Sequence, residues 1–117
     1  MRVIAKTAVA EAIEKYSQWK DPLTLWLSTF DRPPLRFESF EQIREVWVNT
    51  SGWNVDRIPR SKLRLPSQKG PLDIYVFDIK KNECRIIVWI NTRNGTIFIK
   101  DILPHAGYDK WCNSDVK

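Results

Sequence analysis

The chain has 117 residues, 43% hydrophobic and 28% charged, which fits one folded domain spanning residues 1–117. No apolar run reaches the about 18 residues that a membrane helix needs, and charges interrupt residues 1–12, so we expect neither a membrane segment nor a signal peptide. Cys84 and Cys112 fit neither a disulfide framework nor the spacing of a metal site. We therefore expect reduced thiols, no metal, no cofactor and a cytoplasmic protein.

The net charge of +5 is unevenly distributed along the chain. Residues 1–56 carry seven Lys and Arg against eight Asp and Glu, whereas residues 57–117 carry twelve against six. The whole excess of positive charge thus belongs to the second half. Such asymmetry predicts an anionic partner that contacts this half.

The first half predicts one short strand and three helices. A β-branched strand over residues 2–5 leads to an N-cap at Thr7 and a helix over residues 8–19. Asp21 is predicted to cap a second helix, with Pro22 at its first position and its end before Arg32. A third helix begins at a capping-box pair; that pair is Ser39 and Gln42.

The second half predicts an antiparallel meander. Residues 72–79 alternate in polarity, with Ile74 and Val76 on one face and Tyr75 and Phe77 on the other, and residues 80–82 form a hairpin turn. Residues 84–90 are typical of a central strand, and a turn over residues 91–95 leads to a third strand over residues 96–103. Together with the helices, these strands predict an α+β fold in which helices pack on a small, mostly antiparallel sheet.

Residues 50–70 lack periodicity and are predicted to be a loop. Five basic residues lie in it without an acidic residue among them: Arg57, Arg60, Lys62, Arg64 and Lys69. Two interpretations remain open. The loop is either an ordinary solvated segment or an arm that contacts the phosphates of a nucleic acid.

A possible active site follows from the two-residue period of the strands. This period allows Arg85, Trp89 and Lys100 to share a face, while Pro104 ends the last strand and leaves His105 at the sheet edge. Imidazole ordinarily exchanges a proton near neutral pH, and the cations suit a phosphate that gains negative charge. The set fits metal-free RNA cleavage. A surface histidine in a turn, with Tyr108 and Trp111 packing the chain end, is the alternative.

At these residues the sequence resembles a known family. Residues 85–90, the turn to Gly95, the strand at residues 97–99 and the run His105-Ala106-Gly107-Tyr108-Asp109-Lys110 are similar to the HigB toxins of bacterial toxin–antitoxin systems, within the RelE/ParE-like superfamily. Residues 1–6 and the two helices that follow also match. The resemblance implies a ribosome-dependent mRNA endonuclease that contacts mRNA on the ribosome and is neutralised by a HigA-like antitoxin with a helix-turn-helix.

The resemblance also implies roles for individual residues. His105 would be the acid or base, Tyr108 would stack on a base or relay a proton, and Lys110 with Arg85 would stabilise the phosphate and transition state. The chain departs from the family pattern in its longer basic loop, in Cys84 where an aromatic is common, and in Trp89 where a polar or basic residue is common. Trp89 is either a stacking surface for a nucleobase or part of the core.

Fold alone does not determine function, so a second hypothesis stands beside the nuclease. The same fold would also suit a non-catalytic RNA-binding or protein-interaction module. Its contacts to RNA would come from the basic loop and from Lys100 and Trp89. The two hypotheses differ in what they require of His105.

Overall fold

The computed structural model describes residues 1–32, 35–64 and 72–117. Its strands are β1 (Arg2–Ile4), β2 (Val55–Ile58), β3 (Ile74–Ile79), β4 (Cys84–Asn91) and β5 (Thr96–Pro104). Its α-helices are α1 (Thr7–Lys15), α2 (Lys20–Phe30), α3 (Phe40–Ser51) and α4 (His105–Asp115). Single 3-10 turns occupy Ser17–Trp19 and Arg60–Lys62.

The strands form one five-stranded sheet in the order β1-β5-β4-β3-β2. β3, β4 and β5 form the predicted antiparallel meander, β2 joins β3 antiparallel, and β1 lies parallel to β5. Central β4 is buried along most of its length, as its continuous apolar sequence predicts. The predicted α+β fold class is confirmed.

The main core lies between one face of the sheet and the first three helices. Its fully buried side chains include Leu23, Trp26 and Phe30 from α2, Trp47 from α3 and Phe77 from β3. The rings of Phe30 and Phe77 meet edge to face with centroids 5.0 Å apart. Each such side chain stabilises the fold by about 1.5–3 kcal/mol on burial. None of the helices in the described ranges is long and apolar enough to cross a membrane.

A second, smaller core covers the opposite face of the sheet. It is built on Ile74, Val76, Ile87 and Trp89, and α4 contributes Tyr108 and Trp111 to it. α4 was not predicted from the sequence. The helices therefore cover both faces of the sheet.

The first two helices begin differently from the prediction. Thr7 is the first residue of α1 instead of its cap, and the predicted helix over residues 8–19 is divided into α1 and a 3-10 turn. This turn continues directly into α2, so no extended residue remains for a cap at Asp21. Asp21 lies in the first turn of α2, where its charge still interacts favourably with the helix dipole.

Other predicted boundaries are confirmed. Ser39 caps α3 by accepting a hydrogen bond from the Gln42 backbone at 3.4 Å, and the Gln42 side chain accepts one from the Glu38 backbone at 2.7 Å. Gly52 ends α3 in the left-handed conformation. α2 ends at Phe30, before Arg32.

The predicted loop over residues 50–70 is wrong in part. α3 runs on to Ser51, and β2 pairs with β3 in register, with Asp56 opposite Val76 and Ile58 opposite Ile74. β2 is a four-residue edge strand with two exposed charged residues at its centre, so it carries almost no apolar periodicity. The structure does not describe residues 65–71, so the predicted site residue Lys69 lies outside the described residues.

Candidate active site

α4 lies across the face of the sheet opposite the first three helices. Tyr108, Trp111 and Cys112 are partly buried at helical spacing, while His105, Asp109 and Lys110 are exposed. The helix begins directly after β5, where Pro104 is its N-cap without a side-chain hydrogen bond. One face of α4 is therefore turned to the sheet, and its first turn lies at the sheet edge.

His105 is the first residue of α4, and the hairpin between β3 and β4 anchors it. Its backbone N–H donates to the Glu83 carbonyl oxygen at 2.9 Å. Its Nε2 lies 3.3 Å from Asp109 Oδ2, one helical turn later, and the His105 side chain is 52% exposed. The imidazole is thus held beside a carboxylate and remains open to a ligand, at the sheet edge where the sequence places it.

Arg85 lies next to this hairpin on β4, opposite Leu103 of β5 and therefore two residues before His105. Its Nε lies 3.1 Å from Asp78 Oδ1 on β3, and the two side chains are only 12% and 20% exposed. Burial raises the pKa of Asp78, the positive charge of Arg85 opposes that rise, and Asp56 adds to it. Asp78 was not among the predicted site residues, although a four-residue turn at residues 80–83 would have placed it opposite Arg85.

Tyr108 covers the Arg85 guanidinium. The Arg85 Cζ lies 5.1 Å from the centroid of the Tyr108 ring, within the range of a cation–π interaction. Burial raises the pKa of the Tyr108 phenol, and a hydrogen bond with the Cys112 side chain adds to the shift. Tyr108 therefore stays neutral near neutral pH, so it suits stacking and hydrogen bonding better than service as a base.

Lys100 lies over two indole rings. Its Nζ is 5.7 Å from the Trp89 centroid and 5.9 Å from the Trp111 centroid, and Trp111 in turn stacks on Tyr108 with centroids 5.9 Å apart. The register between β4 and β5 shifts at Ile87/Val88 and leaves Lys100 as the additional residue of a β-bulge. Trp89 is 8% exposed, which favours the core interpretation of this residue. Its ring supports an exposed cation.

Lys110 lies on another side of α4. Residues five positions apart on an α-helix are separated by about 140° around the axis, so Lys110 does not share the His105 side of the helix. Lys110 is exposed and lies between half-buried Tyr108 and Trp111 in sequence but not on their face. The structure thus brings Arg85 and Tyr108 into contact close to His105, and it places Lys110 apart from them.

The basic residues before the meander divide into two groups. Arg57 of β2 lies opposite Tyr75, on the face of the first three helices, and its Nε forms a 3.1 Å ion pair with Asp73. Arg60, Lys62 and Arg64 are exposed in and after the 3-10 turn. These three residues are here termed the basic segment.

The C-terminal residues hold the basic segment against the end of α4. The Arg64 N–H donates to the Asp115 carbonyl at 2.8 Å, and the Lys117 N–H donates to the Lys62 carbonyl at 2.7 Å. Leu63 and Val116 form a β-bridge between these hydrogen bonds. The basic segment and α4 therefore lie side by side on one face of the protein.

The described residues contain no group of three or more His, Cys, Asp or Glu side chains that could hold a metal ion. Both cysteines are free thiols. Burial raises the pKa of Cys84 to about 12, so this thiol stays protonated and unreactive. The groups that the site offers are imidazole, guanidinium, ammonium, phenol and carboxylate.

The five-stranded mixed sheet with four α-helices is consistent with a RelE-like fold. Residues 67–111 match a family model described as HigB_toxin, the RelE-like toxic component of a toxin–antitoxin system. This match agrees with the predicted family resemblance over the segment that carries Arg85, His105 and Tyr108. No curated protein matches the chain.

Proposed function

We propose that this protein is the toxin of a toxin–antitoxin pair and cleaves mRNA bound to the ribosome in the cytoplasm. One observation supports the proposal most strongly. His105, at the start of α4, is tied to the same hairpin that carries Arg85, and Tyr108 one turn later covers the Arg85 guanidinium. These residues all lie inside the matched segment. The antitoxin would be a HigA-like protein with a helix-turn-helix.

The reaction proposed for this site needs no metal. A 2′-hydroxyl of the RNA loses its proton to a base and attacks the adjacent phosphorus, and the 5′-oxygen of the next nucleotide leaves with a proton. The products are a 2′,3′-cyclic phosphate and a free 5′-hydroxyl. His105 would transfer a proton in one of these steps, and Arg85 would stabilise the charge that develops on the phosphate oxygens.

The remaining site residues would bind RNA. Lys100, exposed above the two indoles, and the basic segment offer cations to the phosphates on the α4 side of the sheet. Tyr108 would act through its ring, which covers Arg85, stacks with Trp111 and offers its partly buried edge to a base. Lys110, exposed on another side of α4, would contact a more distant phosphate. Arg57 is already paired with Asp73, so we expect less from it.

Growth inhibition in cells tests the proposal. Expression of the wild-type chain is expected to arrest growth and to cut cellular mRNA, and His105→Ala is expected to abolish both effects. Lys110→Ala should weaken them, whereas Lys20→Ala, a matched change of an exposed lysine on α2, should leave them intact. If His105→Ala and Lys110→Ala inhibit growth as strongly as the wild type, the nuclease proposal is wrong and a non-catalytic binding module is favoured.

A further inference from the structure

Asp78 is a carboxylate at the site to which neither the sequence pattern nor the family match gives a role. It lies directly opposite Arg85 in the β3–β4 register, and its Oδ1 is 3.1 Å from Arg85 Nε. Both side chains point to the α4 face of the sheet, where Tyr108 covers the guanidinium. Asp78 is thus the carboxylate partner of a proposed phosphate-binding residue.

The position of Asp78 restricts how Arg85 can point. A free arginine side chain samples many rotamers, and ordering it costs conformational entropy. Here the Asp78 carboxylate lies in ion-pair contact with Arg85 Nε, 3.1 Å away and without an aligned hydrogen bond, and the Tyr108 ring covers one face of the guanidinium. Arg85 Nη1 also donates to the Cys84 carbonyl oxygen at 3.5 Å, so Nη2 remains as the main donor for a ligand, in an orientation that is set before RNA binds.

Stabilisation of the sheet alone does not account well for the ion pair between Asp78 and Arg85. A cross-strand pair of opposite charges stabilises a sheet only weakly, and the hairpin already has the apolar pair Phe77 and Ile86 at the next register position. The fold also leaves the Asp78 carboxylate poorly solvated, since burial raises its pKa in spite of Arg85. A carboxylate kept under these conditions beside a candidate site is typical of functional groups.

We propose that Asp78 is a positioning residue that orients the Arg85 guanidinium toward the phosphate of bound RNA. It does not contact the RNA itself and acts through Arg85. This role rests on the proposed RNA cleavage and adds a residue to it. It differs from simple stabilisation because it predicts a loss of rate that depends on Arg85.

A double-mutant cycle on RNA cleavage tests this role. Single-turnover cleavage of ribosome-bound mRNA would be measured for the wild type, Asp78→Ala, Arg85→Ala and the double variant. We expect Asp78→Ala to slow cleavage about 10- to 100-fold, mainly in kcat, because misplacement of a positioned group has effects of this size. In the Arg85→Ala background the same change should cost almost nothing.

Two further variants separate positioning from stability. Asp78→Asn keeps the size of the side chain and an oxygen beside Arg85 Nε but removes the charge, so it should cleave faster than Asp78→Ala and more slowly than the wild type. It also serves as the test variant if Asp78→Ala does not fold. Asp31→Asn is the matched control: Asp31 accepts a hydrogen bond from the Val3 N–H at 3.1 Å and pairs with Lys6, at a distance from α4. Loss of the Asp31 carboxylate should lower the stability of the protein and leave the cleavage rate of the folded protein unchanged.

The outcomes that overturn the role are distinct. If the wild type cleaves mRNA and both Asp78→Ala and Asp78→Asn cleave it at the wild-type rate, the positioning role is wrong and the proposed function stands. The role is also wrong if the losses from Asp78→Ala and Arg85→Ala multiply in the double variant. A wild-type chain that cleaves no ribosome-bound mRNA overturns the proposed function and the positioning role together.

Discussion

At the residue scale, the surroundings of Tyr108 restrict what its side chain can do in the reaction. Burial raises the pKa of its phenol, so the hydroxyl keeps its proton at the pH of a cell, while the ring contacts Arg85 and Trp111. Proton transfer by a side chain is worth about 100- to 10,000-fold in rate. A residue that acts through its ring is less sensitive to loss of the hydroxyl.

We therefore expect Tyr108→Phe to slow mRNA cleavage by less than about tenfold, and Tyr108→Leu to slow it by more. Single-turnover cleavage assays on both variants would measure the difference. The raised pKa of the Tyr108 phenol stabilises the folded protein below pH 10, and this stabilisation is lost as pH rises further. Tyr108→Phe should therefore unfold less readily than the wild type at alkaline pH. A 100-fold loss of rate in a stably folded Tyr108→Phe would show that the hydroxyl takes part in proton transfer.

The carboxyl of Asp78 predicts how stability depends on pH. Its folded-state pKa is raised above 3.8, so its favourable contribution is complete below pH 3.8 and is lost as pH rises through the folded-state pKa. The pKa of Asp31 is shifted in the opposite direction, because a hydrogen bond from the Val3 N–H lowers it. The contribution of Asp31 to stability is therefore present above pH 3.8 and is lost as pH falls through the lowered pKa.

Urea denaturation at a series of pH values would measure both contributions. We expect Asp78→Asn to remove the loss of stability at rising pH, and to be at least as stable as the wild type at neutral pH. Asp31→Asn should instead lose stability at neutral pH and lose less on acidification. An Asp78→Asn chain that is clearly less stable than the wild type at neutral pH would contradict this account and indicate that the ion pair serves mainly to stabilise the sheet.

At the scale of elements, Gly95 and Gly107 differ in whether their backbone positions require glycine. Gly95 has a φ of +68° in the turn between β4 and β5, and a Cβ there would lie 1.2 Å from Arg36 Nη1, which donates to the Asn94 carbonyl in this structure. Gly107 lies inside α4, and a Cβ there would meet its nearest atom at an ordinary 3.5 Å. The first position needs glycine, while the second only tolerates it.

Gly95→Ala should therefore destabilise the protein by about 1–2 kcal/mol, the cost of a left-handed residue with a side chain. Gly107→Ala should stabilise it by about 0.5–1 kcal/mol, because glycine is a poor helix former. Urea unfolding of the two single variants measures both values. Equal effects of the same sign would contradict the backbone argument.

The meander was predictable from the sequence because its strands alternate or are continuously apolar. α4 was not, since Pro104 offers no capping side chain, Gly107 weakens helix propensity, and contacts with Arg85 and Lys100 across the sheet stabilise the helix instead. Local sequence carries no sign of these contacts. The same holds for Asp78, whose partner depends on the length of the turn between β3 and β4.

At the scale of the whole molecule, cations collect on the α4 side of the sheet. The basic segment lies against the C-terminal end of α4, and Lys100 lies over Trp111 on the same helix. The sequence predicted that an anion would meet the second half of the chain. The sequence did not predict that Arg57 lies on the opposite face of the sheet from the basic segment, because β2 was not recognised. In a strand, alternate residues face opposite sides of the sheet.

Neutralising the basic segment should weaken RNA binding without regard to sequence. A variant with Arg60, Lys62 and Arg64 changed to Gln is expected to bind RNA less tightly, and each lost phosphate contact should reduce the slope of log affinity against log salt by about 0.7 for a single strand. Arg57→Gln, which breaks only the pair with Asp73, is the control. Equal salt slopes for the triple variant and the wild type would show that the segment does not contact phosphates.

The central claim is that His105, Arg85 and Tyr108 form a site for RNA cleavage by 2′-hydroxyl attack. The most direct measurement is the chemistry of the ends that the purified protein leaves on ribosome-bound mRNA, with His105→Ala as the matched inactive chain. We predict 2′,3′-cyclic phosphate ends and 5′-hydroxyl ends, both lost in His105→Ala. Intact mRNA with the wild-type chain, or 3′-hydroxyl ends, would contradict the claim.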